Sequence, residues 1–353
     1  MKKVTVQASK TYDILIERGL LAKCGGLIAQ VHPRCRVAVI TDENVDKLYG
    51  DRVCNSLENA GFSPCRMVIP PGERSKSLAM LAKILDFLAQ QNLTKADLVV
   101  ALGGGVVGDV AGFAASVYLR EIPLVQLPTT LLAAIDSSVG GKTAVDLPAG
   151  KNLAGTFCQP TLVVCDSAAL DTLPDPVFAD GTAEGIKYGM LVDEELFHTF
   201  RAGLNRRDLD DVIARCVQIK ADLVHQDEHD TGSRQLLNLG HTVGHAIERC
   251  SGYATPHGHA VAMGMVVVAR AAYALGLSHQ NCTPALLEAL DACHLPTACP
   301  YDGEQLAQAA LQDKKRRGSQ ITLVVPNSIG YCYRHTIPVE ELRSVIGAGL
   351  GAE

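Results

Sequence analysis

The sequence predicts two domains: an α/β N-terminal domain with an open, mostly parallel sheet over 1–174, and a mostly α-helical C-terminal domain over 175–353. Three observations carry this. A chain of 353 residues is longer than the usual domain of about 100–200. Its first half alternates short β-branched runs with helical periodicity. Beyond residue 174 long helical patterns take over.

In chain order, the opening segment reads as a hairpin followed by a helix. RVAVIT (36–41), DLVVAL (97–102), PLVQL (123–127) and TLVVC (161–165) are short apolar runs, as expected of strands buried on both faces. Between them SLAMLAKILDFLAQQ (77–91) spaces its apolar residues three and four apart, which makes an amphipathic helix. An open α/β sheet places its ligand crevice at the carboxyl ends of its strands. The prolines and aspartates of LDTLPDP (170–176) interrupt any helix and set the boundary. Helical patterns follow at 195–201, 209–225, 236–250, 260–277, 284–293 and 303–313, with one small hairpin from 321–325 and 330–333. The stretch 260–277 approaches a membrane span in length, but Arg270 lies inside it and His257 and His259 stand at its start, so it reads as a buried helix.

Composition excludes several function classes. A net charge of −6, from 32 Lys and Arg against 38 Asp and Glu, gives no basic excess for nucleic acid. There is no Trp and aromatics are 5%, which argues against a stacking platform for bases. Twelve cysteines are scattered from Cys24 to Cys332 without a CxxC pair, as expected of free thiols in a reducing cytoplasm. The first residues alternate apolar and polar and lack the apolar core of a signal peptide. The expectation is a cytoplasmic protein with no membrane partner.

Four groups of residues carry chemistry. In DLVVALGGGVVGDVAGFAASVYL (97–119) a strand runs through Gly103, Gly104, Gly105, Gly108 and Asp109 into a helix. Glycines there let backbone approach a pyrophosphate, and the helix N-terminus offers N–H groups. The loop departs from the usual dinucleotide fingerprint: it is not in the first βα unit, and no acidic residue ends a second strand about 20 residues on. PPGERSK (70–76) fixes a turn before Glu73 and Lys76, and Asp42 follows the first parallel strand, where it serves either as a ribose partner or as a helix cap. In LNLGHTVGHAIE (237–248), His241 and His245 share one helical face. With His257, His259 and the Glu184 of GTAEGIKYG, two or three histidines and a carboxylate suit Zn²⁺ or Co²⁺ with positions open for substrate oxygens. Finally Arg120, Lys142, Lys151, Lys187, Lys220, Arg234 and Lys314 are cations in an acidic chain, suited to a substrate bearing both phosphate and carboxylate. Together these features imply a nicotinamide cofactor, a metal that holds hydroxyl groups and a cationic pocket.

These motifs resemble the 3-dehydroquinate synthase family of sugar phosphate cyclases, nearly end to end. The most specific segments are PPGERSK, GGGVVGDVAGFAASVYLR, PTTLLAAIDSSVGGKTAVDLPAGKN, AEGIKYG, DEHDTGSRQLLNLGHTVGHAIE and PHGHAVAMGM. The resemblance implies an NAD-binding first domain, a metal-binding second domain, an active site in the cleft between them, and a homodimer. It implies conversion of 3-deoxy-D-arabino-heptulosonate 7-phosphate to 3-dehydroquinate and phosphate, the second step of the shikimate pathway, with NAD reduced and reoxidised in each turnover. Carried onto this chain, it makes Glu184, His241 and His257 the ligands of Zn²⁺ or Co²⁺. It gives His245, Asp230, Lys142, Lys187, Lys220, Arg234 and Asn238 catalytic roles, with His245 in proton transfer. Arg120 (from the other subunit), Asp136, Asn152 and Lys314 become substrate-binding. Asp42, Glu73, Lys76, Gly104, Gly105, Asp109, Thr129, Thr130, Lys151, Thr172 and Asp180 become NAD-binding.

Five positions depart from the family pattern: His259 for a glutamate, Asp230 for a glutamate, Gly185 for an aliphatic residue, Glu121 for a glycine, and Asp180, an unusual residue beside a cofactor. His259 is expected to place another nitrogen near the metal. The competing readings are a metal- and NAD-dependent polyol dehydrogenase, another sugar phosphate cyclase, and an inactive binding protein.

Overall fold

A computed structural model describes residues 1–311, 316–317 and 319–351. Packing divides the chain into two compact units, Met1–Leu173 with Arg206–His229, and Pro174–Asn205 with Asp230–Glu353.

The first unit is built on a seven-stranded sheet. Its strands are β1 (Lys2–Val6), β2 (Tyr12–Ile16), β3 (Arg36–Asp42), β4 (Ser63–Ile69), β5 (Leu98–Gly103), β6 (Leu124–Pro128) and, after the hairpin of β7 (Lys142–Leu147) and β8 (Gly150–Phe157), β9 (Leu162–Cys165). The order is β1-β2-β9-β6-β5-β3-β4, with only the β1–β2 pair antiparallel. β5, β6 and β9 are buried throughout, which accounts for their unbroken apolar sequences. Side chains alternate between two cores. Leu98, Val100 and Leu102 join Ile28, Val53 and Leu57 on one face, while Val99 and Ala101 join Ile84, Leu88, Val110 and Ala114 on the other. The chain reverses its direction across the sheet between β3 and β5, so the crevice for a ligand lies outside their carboxyl ends, at Asp42 and Gly103.

The second unit is mostly helical, with a small sheet in which β11 (Gln320–Ser328) pairs β10 (Arg316–Arg317) and β12 (Tyr331–Pro338). The helix expected over 236–250 is broken. A 3₁₀ turn, Ser233–Asn238, precedes the helix His241–Cys250, and Gly240 between them has φ +77°. A Cβ on Gly240 would lie 2.8 Å from the Val261 carbonyl oxygen, so both the turn and the close packing require glycine. Helix Asp175–Val192 is an element the sequence patterns did not show. Gly185 and Gly189 dilute its apolar stripe because neighbours pack against bare backbone: a Cβ on Gly185 would lie 2.0 Å from the Phe200 ring. The Phe200 side chain thus takes the space of the aliphatic residue expected at 185. On Gly189 a Cβ would meet the Phe197 backbone at 2.7 Å. Gly189→Ala is expected to cost about 1–3 kcal/mol, the usual range for overpacking, read as a lowered denaturant midpoint. Among the described residues, no helix is long and apolar enough to cross a membrane.

Candidate active site

The glycine-rich loop sits where the sheet directs it. β5 ends at Gly103, Gly104 is the N-cap, and helix Gly105–Val117 begins at once. A Cβ on Gly103 would lie 2.7 Å from Val107, and one on Gly108 would lie 2.9 Å from Gln126 Oε1. These glycines set the helix directly on the sheet and leave its N-terminal N–H groups facing the crevice, a donor set that fits a pyrophosphate. Beside it, Lys76 Nζ pairs with Asp109 Oδ2 at 2.5 Å. Burial opposes the Lys76 charge, but Asp109 and Glu73 outweigh it and hold the ammonium above its ordinary value. Burial pushes the Asp109 carboxyl upward against the pull of Lys76. Lys151 reaches Glu73 at 3.4 Å, and the Asp146 N–H donates to the Lys76 carbonyl at 2.9 Å. The β7–β8 hairpin is thereby tied to the 70–76 turn. Asn152, within β8, adopts φ +55° and donates its N–H to Asp146 Oδ1 at 2.8 Å.

Other expected nucleotide residues are placed as follows. Thr130 lies against Gly104, and its hydroxyl accepts from the Ala133 N–H. Thr129 is buried, and the Thr172 hydroxyl pairs with the Tyr49 hydroxyl at 2.8 Å. Asp42 caps the turn after β3, accepting from the N–H groups of Asn44 and Val45. Asp180 belongs to the second unit, where its carboxylate accepts from the His259 N–H and meets the His259 ring Nδ1, each at 3.0 Å. That engagement turns His259 Nδ1 to Asp180 rather than into the metal cluster.

The expected substrate residues fall in both units. In the first, buried Lys220 donates to the Asp136 carbonyl at 2.6 Å and to its carboxylate at 2.8 Å. This pairing comes from helix Asp210–Gln226, which packs on β1 within the first unit although sequence reading grouped it with the second. Lys142 is exposed at the start of β7. Leu119, Arg120 and Glu121 all have positive φ, so Glu121 stands at +90°, a backbone conformation that suits the glycine expected there. In the second unit Arg234 is 1% exposed and Asn238 closes the 3₁₀ turn. Asp230 has φ +58°, and its carbonyl accepts from Gln235. Lys314 lies outside the described residues.

Three helices of the second unit bring the histidines to Glu184. Their close approach again depends on glycine. A Cβ on Gly258 would lie 1.8 Å from the Asp180 carbonyl oxygen, and one on Gly264 would lie 2.1 Å from that of Gly240. Glu184, His241 and His257 offer ligand atoms that all lie within 4.8 Å of one another. Glu184 Oε1 is 3.5 Å from His241 Nε2 and 3.6 Å from His257 Nε2. Lys187 holds the other carboxylate oxygen, Oε2. Glu184 Oε1 is buried without a hydrogen-bond partner, which is the condition a cation shared with two imidazoles would relieve. The donor set, one carboxylate and two imidazoles, fits Zn²⁺ or Co²⁺. Burial disfavours the His257 cation, yet Glu184 and Glu248 outweigh that and raise its pKa to about 10, so a metal binding there would displace the Nε2 proton. His245 stands alongside, its ring 5.5 Å from that of His241 and 6.0 Å from that of His257.

Two residues in these clusters were not singled out on sequence. Asp146 carried no pattern signal. Glu248 did: it lies three residues after His245 and seven after His241, hence on their face of the helix.

Comparison with known proteins gives a consistent set. Family models described as 3-dehydroquinate synthase N-terminal and C-terminal match 66–180 and 181–316. A 3-dehydroquinate synthase of Enterococcus faecalis (strain ATCC 700802 / V583) is 44% identical, with 98% of this chain and 98% of the relative covered. The solved structure of 2-epi-5-epi-valiolone synthase from Streptomyces hygroscopicus subsp. jinggangensis 5008, with NAD⁺ and Zn²⁺ bound, matches with TM-score 0.87 and 25% identity over 100% of both chains. A 2-deoxy-scyllo-inosose synthase structure shares the fold, with TM-score 0.88 and 23% identity over 98% of this chain and 99% of that one.

Proposed function

The chain belongs to the 3-dehydroquinate synthase family, and on that premise we propose that it converts 3-deoxy-D-arabino-heptulosonate 7-phosphate to 3-dehydroquinate and phosphate. The observation that carries the proposal within the structure is the Glu184, His241 and His257 cluster, with Lys187 and His245 beside it. When bound, NAD supplies a hydride acceptor that returns its hydride, and the divalent metal supplies a Lewis acid for substrate hydroxyls.

The chain's own residues do the remaining work. Gly104, Gly105 and the helix N-terminus seat the nucleotide pyrophosphate, with Glu73, Lys76, Asp109 and Lys151 framing it. Asp42, Thr129, Thr130 and Thr172 complete that side. Lys187 keeps Glu184 Oε2 occupied, so Oε1 is the oxygen that would hold a metal. Lys142, Lys220, Arg234 and Lys314, with Asp136, Asn152, Asp230 and Asn238, neutralise and orient the phosphate and carboxylate ends. Preorganised cations suit a reaction in which phosphate leaves by elimination and the opened sugar closes by an aldol addition. His245 moves a proton for the elimination. Asp180, oriented by His259, is assigned to the same nucleotide set.

The proposal includes a homodimer in which Arg120 reaches the partner's substrate. The exposed, left-handed run at 119–121 supports a role beyond packing for this segment. It also includes a cytoplasmic location. The twelve cysteines form no disulfide, and burial pushes thiols such as Cys24 up to about 11 and Cys158 up to about 12, which leaves them inert small hydrophobes. Phosphate release from the heptulosonate phosphate by protein loaded with metal and NAD tests the proposal. Absence of release, with oxidation of a simple polyol instead, overturns it.

A further inference from the structure

The metal cluster treats its two imidazoles alike. His241 turns Nε2 toward Glu184 Oε1, and its Nδ1 meets the Leu239 carbonyl oxygen at 3.1 Å. A carbonyl only accepts, so that contact places the proton on Nδ1 and leaves Nε2 bare for a cation. His257 likewise turns Nε2 toward Glu184 Oε1. Its Nδ1 faces Glu248 Oε2 at 3.5 Å. Glu248 is 2% exposed, on the helix His241–Cys250. A carboxylate is costly to bury without a partner, and this one has an imidazole edge in front of it.

We propose that Glu248 is the positioning residue of His257, holding its Nδ1–H so that bare Nε2 faces Glu184. The proposal rests on the metal reading of Glu184, His241 and His257. A rival arrangement exists, because His245, Glu248 and His257 also offer ligand atoms within 4.8 Å of one another. It would spend His257 Nδ1 on the metal and leave the Nε2 atoms of His241 and His257, both aimed at buried Glu184 Oε1, with no cation between them. Supporting carboxylate gives a better account of these contacts than ligand carboxylate does. Its effect is on ring orientation and ligand basicity, not on the reacting atoms.

The test uses full-length protein stripped of metal and titrated with Co²⁺ against a chromophoric chelator. Glu248→Ala is expected to weaken Co²⁺ binding by roughly 10–100-fold, the range for loss of such a partner, with the melting temperature of the metal-free protein unchanged. Glu248→Gln keeps a side-chain oxygen that accepts from Nδ1–H and is expected to recover most of that affinity. Imidazole ¹⁵N spectra of the zinc-loaded protein are expected to show His257 as the Nδ1–H tautomer in parent and Glu248→Gln. Parental Co²⁺ affinity in Glu248→Ala overturns the positioning role. Complete loss of metal in Glu248→Gln overturns it in favour of a ligand role. If Glu248→Ala does not fold, the Gln variant carries the same decision through its affinity and tautomer. Parental affinity in Glu184→Ala would instead overturn the metal reading beneath the proposal, so the two failures are distinct.

Discussion

Alanine at Glu184, His241 or His257 is expected to leave a folded protein that neither retains Zn²⁺ or Co²⁺ nor turns over, and chelation of the parent is expected to do the same reversibly. Among the described residues these three side chains make up the cluster around buried Glu184 Oε1, so removal of one leaves two donors. The loss should exceed the roughly 10–100-fold that follows from losing a supporting hydrogen bond alone. His259→Ala is the control. Its ring Nδ1 is held by Asp180, and it is expected to keep the metal. Metal content by elemental analysis and phosphate release on the same preparation decide the matter. A metal-free His259→Ala would show the ligand assignment to be wrong.

His245→Ala is expected to keep both metal and NAD and to lose turnover by roughly 10²–10⁴-fold, the usual worth of a positioned acid–base group. The residue lies one helical turn beyond His241 and shares its face, yet it stands outside the Glu184 cluster. Imidazole is the side chain suited to passing protons near neutral pH. A purely packing role predicts the opposite pattern, with a lowered melting temperature and near-parental turnover in the folded fraction. Bound metal, melting temperature and phosphate release separate the two.

Much of this arrangement is legible in the sequence, and the exceptions have physical causes. The strands at 36–41, 97–102, 123–127 and 161–165 declare themselves because burial on both faces leaves only apolar residues. β4 does not, because it is a sheet edge carrying Arg66 with much of its surface exposed. Helix Asp175–Val192 is hidden by the glycines that let Phe197 and Phe200 pack against it. Helix Asp210–Gln226 has clear periodicity, but packing on β1 is a long-range contact that no local pattern encodes. The histidine cluster could be located from spacing, whereas the choice of His241 and His257 over His245 and His259 could not. That choice depends on where Glu184 and Asp180 point. Glu248 was readable from its place on the histidine face, once a supporting carboxylate was sought.

The central claim is that NAD takes part without being consumed. Its most direct measurement is phosphate release from 3-deoxy-D-arabino-heptulosonate 7-phosphate by metal-loaded protein, with NAD well below substrate and nicotinamide absorbance followed in the same cuvette. The expected result is complete conversion of the substrate, one phosphate for each molecule, with no net accumulation of NADH. Stoichiometric accumulation of NADH, or phosphate release that stops at the amount of NAD added, would contradict it.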